Sequence, residues 1–274
     1  MTDTNLLLPM RTGEIRIHDA EGFEGMRRAG RLVAECLDML VPEVKPGVTT
    51  EHLDNLVREF VQDHGAVSAT IGYRGYRHAS CISVNHVICH GIPGPKALKD
   101  GDIANIDVTL ILDGWHGDHS RMFGVGEVKR KAERLMEVTY EAMMAGIAAV
   151  KPGARFGDIG GAISEIARLN RYSVVDDFCG HGLGRLFHDE PNVVHSAKAG
   201  TGPELKPGMF FTIEPMLNLG RRDAAILPDG WTAVTRDRQL SAQFEHSVGV
   251  TETGVEIFSA SPKGWHEPHK VKLG

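Results

Sequence analysis

The stretch NIDVTLILDGWHGDHS, residues 105–120, is rich in Ile, Val and Leu, yet it carries an aspartate near each end, Asp107 and Asp118. Between them sits Asp113-Gly114, a dipeptide whose two residues tolerate the positive φ of a type I′ hairpin turn. A two-residue turn there pairs Leu112 with Trp115, Leu110 with Gly117 and Thr109 with Asp118. Side chains alternate along a strand, so Asp107 shares a face with Thr109 and hence with Asp118. The two carboxylates then become diagonal cross-strand neighbours, roughly 7–8 Å apart at the backbone. Each aspartate alone reads equally well as a solvated strand end or turn residue. The pair acquires meaning from the rest of the chain.

That chain repeats itself. EVKPGVTTEHLDNLV (43–57) and AVKPGARFGDIGGAI (149–163) share V-K-P-G followed by a segment with apolar residues at helical spacing, and an amphipathic segment precedes each, over 23–41 and 130–149. LKDGDIANID (98–107) aligns with LKPGMFFTIE (205–214), which places Glu214 opposite Asp107. DHS (118–120) aligns with EHS (245–247), which places Glu245 opposite Asp118, provided an insertion lies near 220–240. Two copies are too few for a solenoid. Two α-α-β-β halves about a pseudo-twofold instead bring equivalent strand faces together, so four carboxylates converge. Burying four negative charges is costly unless cations balance them, and two divalent ions supply the matching charge. Oxygen-rich ligation with few histidines suits Mn, Fe, Co or Zn.

Composition sets the outer bounds. A chain of 274 residues with 42% hydrophobic and 24% charged residues has the length and make-up of a folded domain with a real core. Its net charge of −6 gives no electrostatic footprint for nucleic acid or a membrane surface. No apolar run reaches the roughly 18 residues of a membrane span, and the first residues lack the pattern of a signal peptide. Cys36, Cys81, Cys89 and Cys179 are widely spaced without C-x-x-C, which fits free thiols in a reducing cytoplasm.

Histidines complete the set of candidates. CGHGLGRLFHDEPNV (179–193) places His181 and His188 in a glycine-rich stretch, and ICHGIPG places His90 in a similar setting. Glycine neighbours allow close backbone approach to a ligand. His18, His52, His64, His195, His266 and His269 read as surface or core residues.

Together, ICHGIPG, NIDV-x10-DHS, GHGLG, FHDEP, FTIEPM and SAQFEHS resemble the type I methionine aminopeptidases over about residues 15–258. The resemblance implies an α+β pita-bread fold: two pseudo-twofold-related halves, about 15–128 and 129–258, with a curved antiparallel sheet and a metal site between them. Residues 1–14 and 259–274 carry no motif and read as tails, with SPKGWHEPHKVKLG (261–274) a flexible one. By position, Asp107, Asp118, His181, Glu214 and Glu245 resemble the ligands of a dinuclear site, with Asp118 and Glu245 bridging the ions. The implied reaction is removal of the initiator methionine from nascent proteins by hydroxide attack on the first peptide bond. Glu214 would be the general base, His188 would stabilise the tetrahedral intermediate and His90 would bond near the scissile nitrogen. The implied walls of the methionine pocket are Tyr73, Tyr76, Cys81, His90, Phe187 and Trp231. Asn85, Val87 and Ser241 match a site for a monovalent cation, Na or K. A cytoplasmic monomer acting on Met-initiated peptide and protein N-termini, with transient ribosome contact, completes the expectation.

Two departures stand out. His119 follows the second aspartate where relatives usually carry a small residue, and it can place a nitrogen near the metals. GYRHASC (75–81) lacks the usual proline and lysine at the pocket rim. The alternatives are a prolidase or aminopeptidase P-like exopeptidase, which usually carries an extra N-terminal domain, and a non-catalytic pita-bread binding protein that has lost its metals.

Overall fold

The computed structural model describes residues 13–265 and the backbone of His269–Lys270. Helices α1 (Ala20–Leu40) and α2 (Thr50–Asp63) precede the first half's strands, and α3 (Arg130–Ala148) and α4 (Phe156–Leu169) precede the second half's. The strands of the first half are β1 (Val67–Ser68), β2 (Cys81–Val84), β3 (Val87–Cys89), β4 (Ile103–Leu112) and β5 (Trp115–Gly124). Those of the second begin with β6 (Ser173–Val174), β7 (Gly180–Gly182), β8 (Asp189–Val193), β9 (Phe210–Ile213) and β10 (Met216–Asn218). They continue through β11 (Ala224–Ile226), β12 (Ala233–Thr235), β13 (Ser241–Gln243), β14 (Glu245–Val250), β15 (Val255–Ile257) and β16 (His269–Lys270).

The main sheet runs β1-β4-β5-β14-β9-β7-β8, with β5 and β14 meeting at its centre. The β4–β5 hairpin has the register read from the sequence: Leu112 opposite Trp115, Leu110 opposite Gly117 and Thr109 opposite Asp118. Its turn has φ of 51° at Asp113 and 79° at Gly114, the left-handed pair that Asp-Gly supplies cheaply.

The repeat is visible in bonds as well as in letters. Gly47 N–H donates to Leu98 O at 2.8 Å, and its equivalent Gly153 N–H donates to Leu205 O at 3.0 Å. Single bridges Thr49–Ala97 and Arg155–Glu204 occupy matching places. Two apolar cores follow from the duplication. One gathers α1, α2 and β4 around Leu37, Leu53, Ile106 and Leu110. The other gathers α3, α4, β9 and β14 around Leu135, Ile159, Phe211 and Val248.

At the seam, His246 pairs with His119, the residue that it matches in the repeat, so the pseudo-twofold passes through this pair. His119 also faces Val108 on β4, whereas His246 faces Ile213 on β9, the counterpart of Ile106. The halves therefore differ by a two-residue slip. A slip of two keeps every side chain on its face, which is why both halves still aim carboxylates to the same side.

The insertion placed near 220–240 is the β11–β12 hairpin, which pairs onto β3. The flexible tail expected over 261–274 is corrected over its described part, 261–265. Ser259 and Ser261 are buried, and Trp265 packs against the first half's core. The cause is polar: Ser261 Oγ lies 3.0 and 2.8 Å from the two carboxylate oxygens of buried Asp38. Of the expected N-terminal tail, residues 1–12 lie outside the described residues, as do 266–268 and 271–274 at the other end.

Candidate metal centre and substrate pocket

Each half delivers its carboxylates from paired strands. Asp107 and Asp118 stand on β4 and β5, Glu245 opens β14, and Glu214 follows the last residue of β9. Thr109, cross-strand from Asp118, donates its hydroxyl proton to Asp118 Oδ1 at 2.7 Å. Thr212 plays a matching part in the second half, donating to Glu214 Oε1 at 2.7 Å while its Oγ accepts His181 N–H at 3.0 Å. Gln243 Nε2 lies 3.4 Å from Glu214 Oε2, and Glu214 N–H donates to His195 Nε2 at 3.1 Å. Thr212 and Gln243 were not singled out from sequence, although they lie within FTIEPM and SAQFEHS and Thr212 shares a strand face with Glu214. His195 is buried, and its bond orients the Glu214 backbone.

His181 sits in β7, with Nε2 3.6 Å from Asp118 Oδ2 and 3.6 Å from Glu214 Oε1. Its Nδ1 lies 3.2 Å from Gly182 O, and a carbonyl only accepts, so Nδ1 carries a proton. In the neutral ring Nε2 then turns a lone pair toward two carboxylates, an arrangement that a shared cation would satisfy. Ligand atoms of Asp118, His181 and Glu245 all lie within 4.8 Å of one another. Burial, together with the neighbouring carboxylates, pushes Asp118, Glu214 and Glu245 well above the usual carboxylate range. Burial pushes Asp107 up to about 7. Without a cation these groups favour protonation. The donor set thus fits divalent metal: hard oxygens, one imidazole and excess negative charge in a buried place.

A pH prediction follows. A carboxyl whose folded pKa is raised above its unfolded value contributes stability that is lost as pH rises. Between about pH 7 and about pH 8 an unfolded histidine of ordinary pKa is already mostly neutral and an ordinary thiol is largely protonated, so the four raised carboxyls dominate the slope. Metal-stripped protein is therefore expected to melt at lower temperature at the upper end of that window, and saturating Mn²⁺ to remove the decline. Thermal melts at both pH values, with and without Mn²⁺, check this. A flat profile for the stripped protein would remove the uncompensated charge.

The same cavity, about 480 Å³, holds the expected pocket residues. Tyr73 and Phe187 meet with ring centroids 5.0 Å apart, and Tyr76 meets Trp231 edge-on at 4.9 Å. Tyr76 OH donates to Ser80 O at 2.9 Å, which fixes its ring. Cys81 is buried, and burial with the nearby Asp107 carboxylate raises its thiol pKa, so it is a neutral wall. His188 lies 4.2 Å from the His181 ring and 4.0 Å from Phe187. His90, at φ 55°, sits between the edges of Phe178 and Trp231, and burial lowers its pKa so that it is neutral. Phe178, Thr70 and Arg74 also line the cavity and were not singled out from sequence. An isolated aromatic, threonine or arginine carries no periodic or motif signal that separates it from core or surface.

Asn85 and Ser241 are brought together, with Ser241 N–H donating to Asn85 O at 2.9 Å, and Val87 follows on β3. His119 does not enter the cavity. It turns to the opposite face of β5 and bonds the main chain of Glu245 there, as strand alternation after Asp118 requires.

Comparison with known proteins agrees with this geometry. The profile of metallopeptidase family M24 matches residues 24–252. The chain belongs to metallopeptidase family M24. Among M24 relatives, a protein of Rickettsia prowazekii (strain Madrid E) named methionine aminopeptidase is 55% identical over 250 residues, covering 91% of this chain and 96% of that one. The Escherichia coli (strain K12) methionine aminopeptidase is 51% identical over 247 residues, covering 89% and 94%. The crystal structure of the Rickettsia prowazekii methionine aminopeptidase superposes with a TM-score of 0.89, at 54% identity, over 90% of this chain and 100% of that one. A prolidase from Pyrococcus furiosus, at 21% identity and a TM-score of 0.72, covers 89% of this chain and 65% of that one, and shares the fold alone. The fold of this M24 chain is accordingly the α+β pita-bread fold that the family resemblance implied, with the two halves expected from its repeat.

Proposed function

We propose that this chain is a methionyl aminopeptidase that removes the N-terminal methionine from new proteins, with residues 15–258 as its catalytic domain. One observation carries the reading: four carboxylates and His181 share a single cavity with Tyr73, Tyr76, Cys81, Phe187 and Trp231. A polar, cation-demanding floor beside an aromatic wall suits a substrate with a free amine at one end and an apolar thioether beside it. The likeness to named methionine aminopeptidases supports the same substrate class.

Asp107, Asp118, His181, Glu214 and Glu245 would hold two divalent ions, of Mn, Fe, Co or Zn. Bound there, such ions supply Lewis acidity, a counter-charge for the carboxylates and a lowered pKa for coordinated water. Glu214, raised in pKa by burial, takes the nucleophile's proton and delivers it to the leaving amine. His188 projects from the loop between β7 and β8 beside His181 and hydrogen-bonds the oxygen that gains charge. His90, neutral and held between Phe178 and Trp231, orients the scissile amide. Tyr73, Tyr76, Cys81, Phe187 and Trp231 enclose the methionine side chain and exclude water. Asn85, Val87 and Ser241 would bind Na or K through backbone oxygens, bracing the β3–β13 junction behind His90. The cysteines are free thiols, which supports a reducing cytoplasm.

Phe187 provides a test. Its replacement by Ala removes a wall of the cavity while leaving the carboxylates in place. The ratio of kcat/KM for Met-Ala-Ser over Leu-Ala-Ser is expected to fall by about tenfold or more, the scale on which a shaped apolar pocket separates similar side chains. An unchanged ratio would take Phe187 out of the pocket. The prolidase-type reading has only the shared fold behind it. A non-catalytic role has to explain why all five positions keep metal-binding chemistry.

A further inference from the structure

Behind the metal-facing side of the sheet lies a buried polar chain that the proposed chemistry does not use. His119 Nδ1 meets the main-chain carbonyl of Glu245, and Arg121 Nε–H donates to His119 Nε2 at 3.0 Å. Since Nε2 accepts and a carbonyl cannot donate, the ring is neutral with its proton on Nδ1. Arg121 donates onward to Asp38 Oδ1 at 2.6 Å and to Ala34 O at 3.2 Å, both on α1. Asp38 is held in turn by the Ser261 hydroxyl. His119, Arg121, Asp38 and Ser261 are all buried. On the other side of the pseudo-twofold, His246 stacks on His119 with centroids 4.6 Å apart and planes 11° from parallel. His246 Nδ1 lies 2.8 Å from Ser259 Oγ, which accepts Ser247 N–H at 3.0 Å, while Ser247 Oγ donates to the Asp118 carbonyl at 2.7 Å.

The Glu245 main chain is thus gripped from the far face by His119, and the Asp118 main chain is held across the seam by Ser247. The need for a grip is local. Strands β5 and β14 are joined through only two paired positions, Glu245–Ser120 and His246–His119, whereas β4 and β5 share ten. Glu245 is also the first residue of its strand, and its carboxylate faces others of like charge. Repulsion across a seam with so few ladder bonds favours splaying.

We propose that His119 is a positioning residue: with Arg121, Asp38 and Ser261 it ties the Glu245 main chain to helix α1 and to the segment 258–265, and so sets the spacing of the Glu245 and Asp118 carboxylates for divalent metal. The assignment rests on the metal-ligand reading of those two residues. It gives the docked segment after Phe258 a role in metal affinity although none of it lines the cavity. Groups that orient ligands from behind affect metal affinity or activity by about 10–100-fold when removed.

The test uses the full metal-stripped chain, with Mn²⁺ binding followed by calorimetry and with kcat and KM for Met-Ala-Ser measured at saturating Mn²⁺. His119→Phe keeps the ring stack but loses both hydrogen bonds. It is expected to weaken Mn²⁺ binding by about tenfold or more and to lower kcat with KM little changed. His119→Gln, whose amide both donates and accepts, is expected to recover most of the affinity. Ser261→Ala touches neither the cavity nor His119 and is expected to shift Mn²⁺ affinity in the same direction by a smaller factor. It keeps the test decisive if His119→Phe fails to fold. Parental Mn²⁺ affinity and kcat in Ser261→Ala and in the folded His119 variants, with only the melting temperature lowered, would overturn the proposal in favour of simple core filling. Failure of the parent to bind Mn²⁺ would instead overturn the metal reading itself, and the inference with it.

Discussion

Glu214→Gln is expected to lower kcat by about 10³-fold or more at saturating metal, with KM for Met-Ala-Ser little changed. General-base catalysis contributes about 10²–10⁴-fold, and this substitution also exchanges a charged ligand for a neutral one. The neighbours of Glu214 explain why the loss should be catalytic rather than structural. Thr212 Oγ–H still donates to an amide oxygen, His195 still accepts the backbone N–H, and Gln matches Glu in shape. What disappears is the ability to take a proton and pass it on. Comparison of single-turnover and steady-state rates with circular dichroism separates this from misfolding. Near-parental kcat would remove Glu214 from both the base and the ligand roles.

Asp118→Asn should separate metal binding from fold stability in opposite directions. Asp118 is 3% exposed and lies in the middle of the cluster, close to His181 and Glu245. Removing its charge relieves repulsion in the stripped protein, so the metal-free melting temperature near pH 8 is expected to rise. Divalent affinity is expected to fall by more than about 100-fold, beyond the range seen when a merely supporting group is lost. Mn²⁺ should then no longer raise the melting temperature. Thr109 can still donate to the amide oxygen, so the hairpin register survives. A variant that keeps the parental Mn²⁺-induced shift would show that Asp118 is not a ligand.

Much of this molecule was legible from local chemistry. The Asp113-Gly114 turn and the alternation of Ile, Val and Leu determine the β4–β5 register, because both signals act within a few residues. The V-K-P-G and L-K-x-G repeats carried the duplication, since equivalent turns need equivalent glycines: Gly101 and Gly208 have φ of 85° and 88°. From that duplication the convergence of Asp107, Asp118, Glu214 and Glu245 followed without any structure. What escaped is long-range and polar. Ser261 reads as part of a hydrophilic tail until Asp38, 223 residues away, supplies a buried carboxylate for its hydroxyl. His119 reads as a neighbour of the metals, but alternation turns it to the far face, where Arg121 waits. Phe178 has no periodicity that marks it, and only the folded chain places it beside His90.

The most direct test is hydrolysis of Met-Ala-Ser, Leu-Ala-Ser and Ala-Pro-Ser by the metal-stripped chain, with Mn²⁺ or Co²⁺ added back. A methionyl aminopeptidase releases Met from the first peptide, only when metal is present, and leaves the other two essentially intact. Cleavage of Ala-Pro-Ser without a preference for Met, or no cleavage by folded, metal-loaded protein, would contradict that assignment.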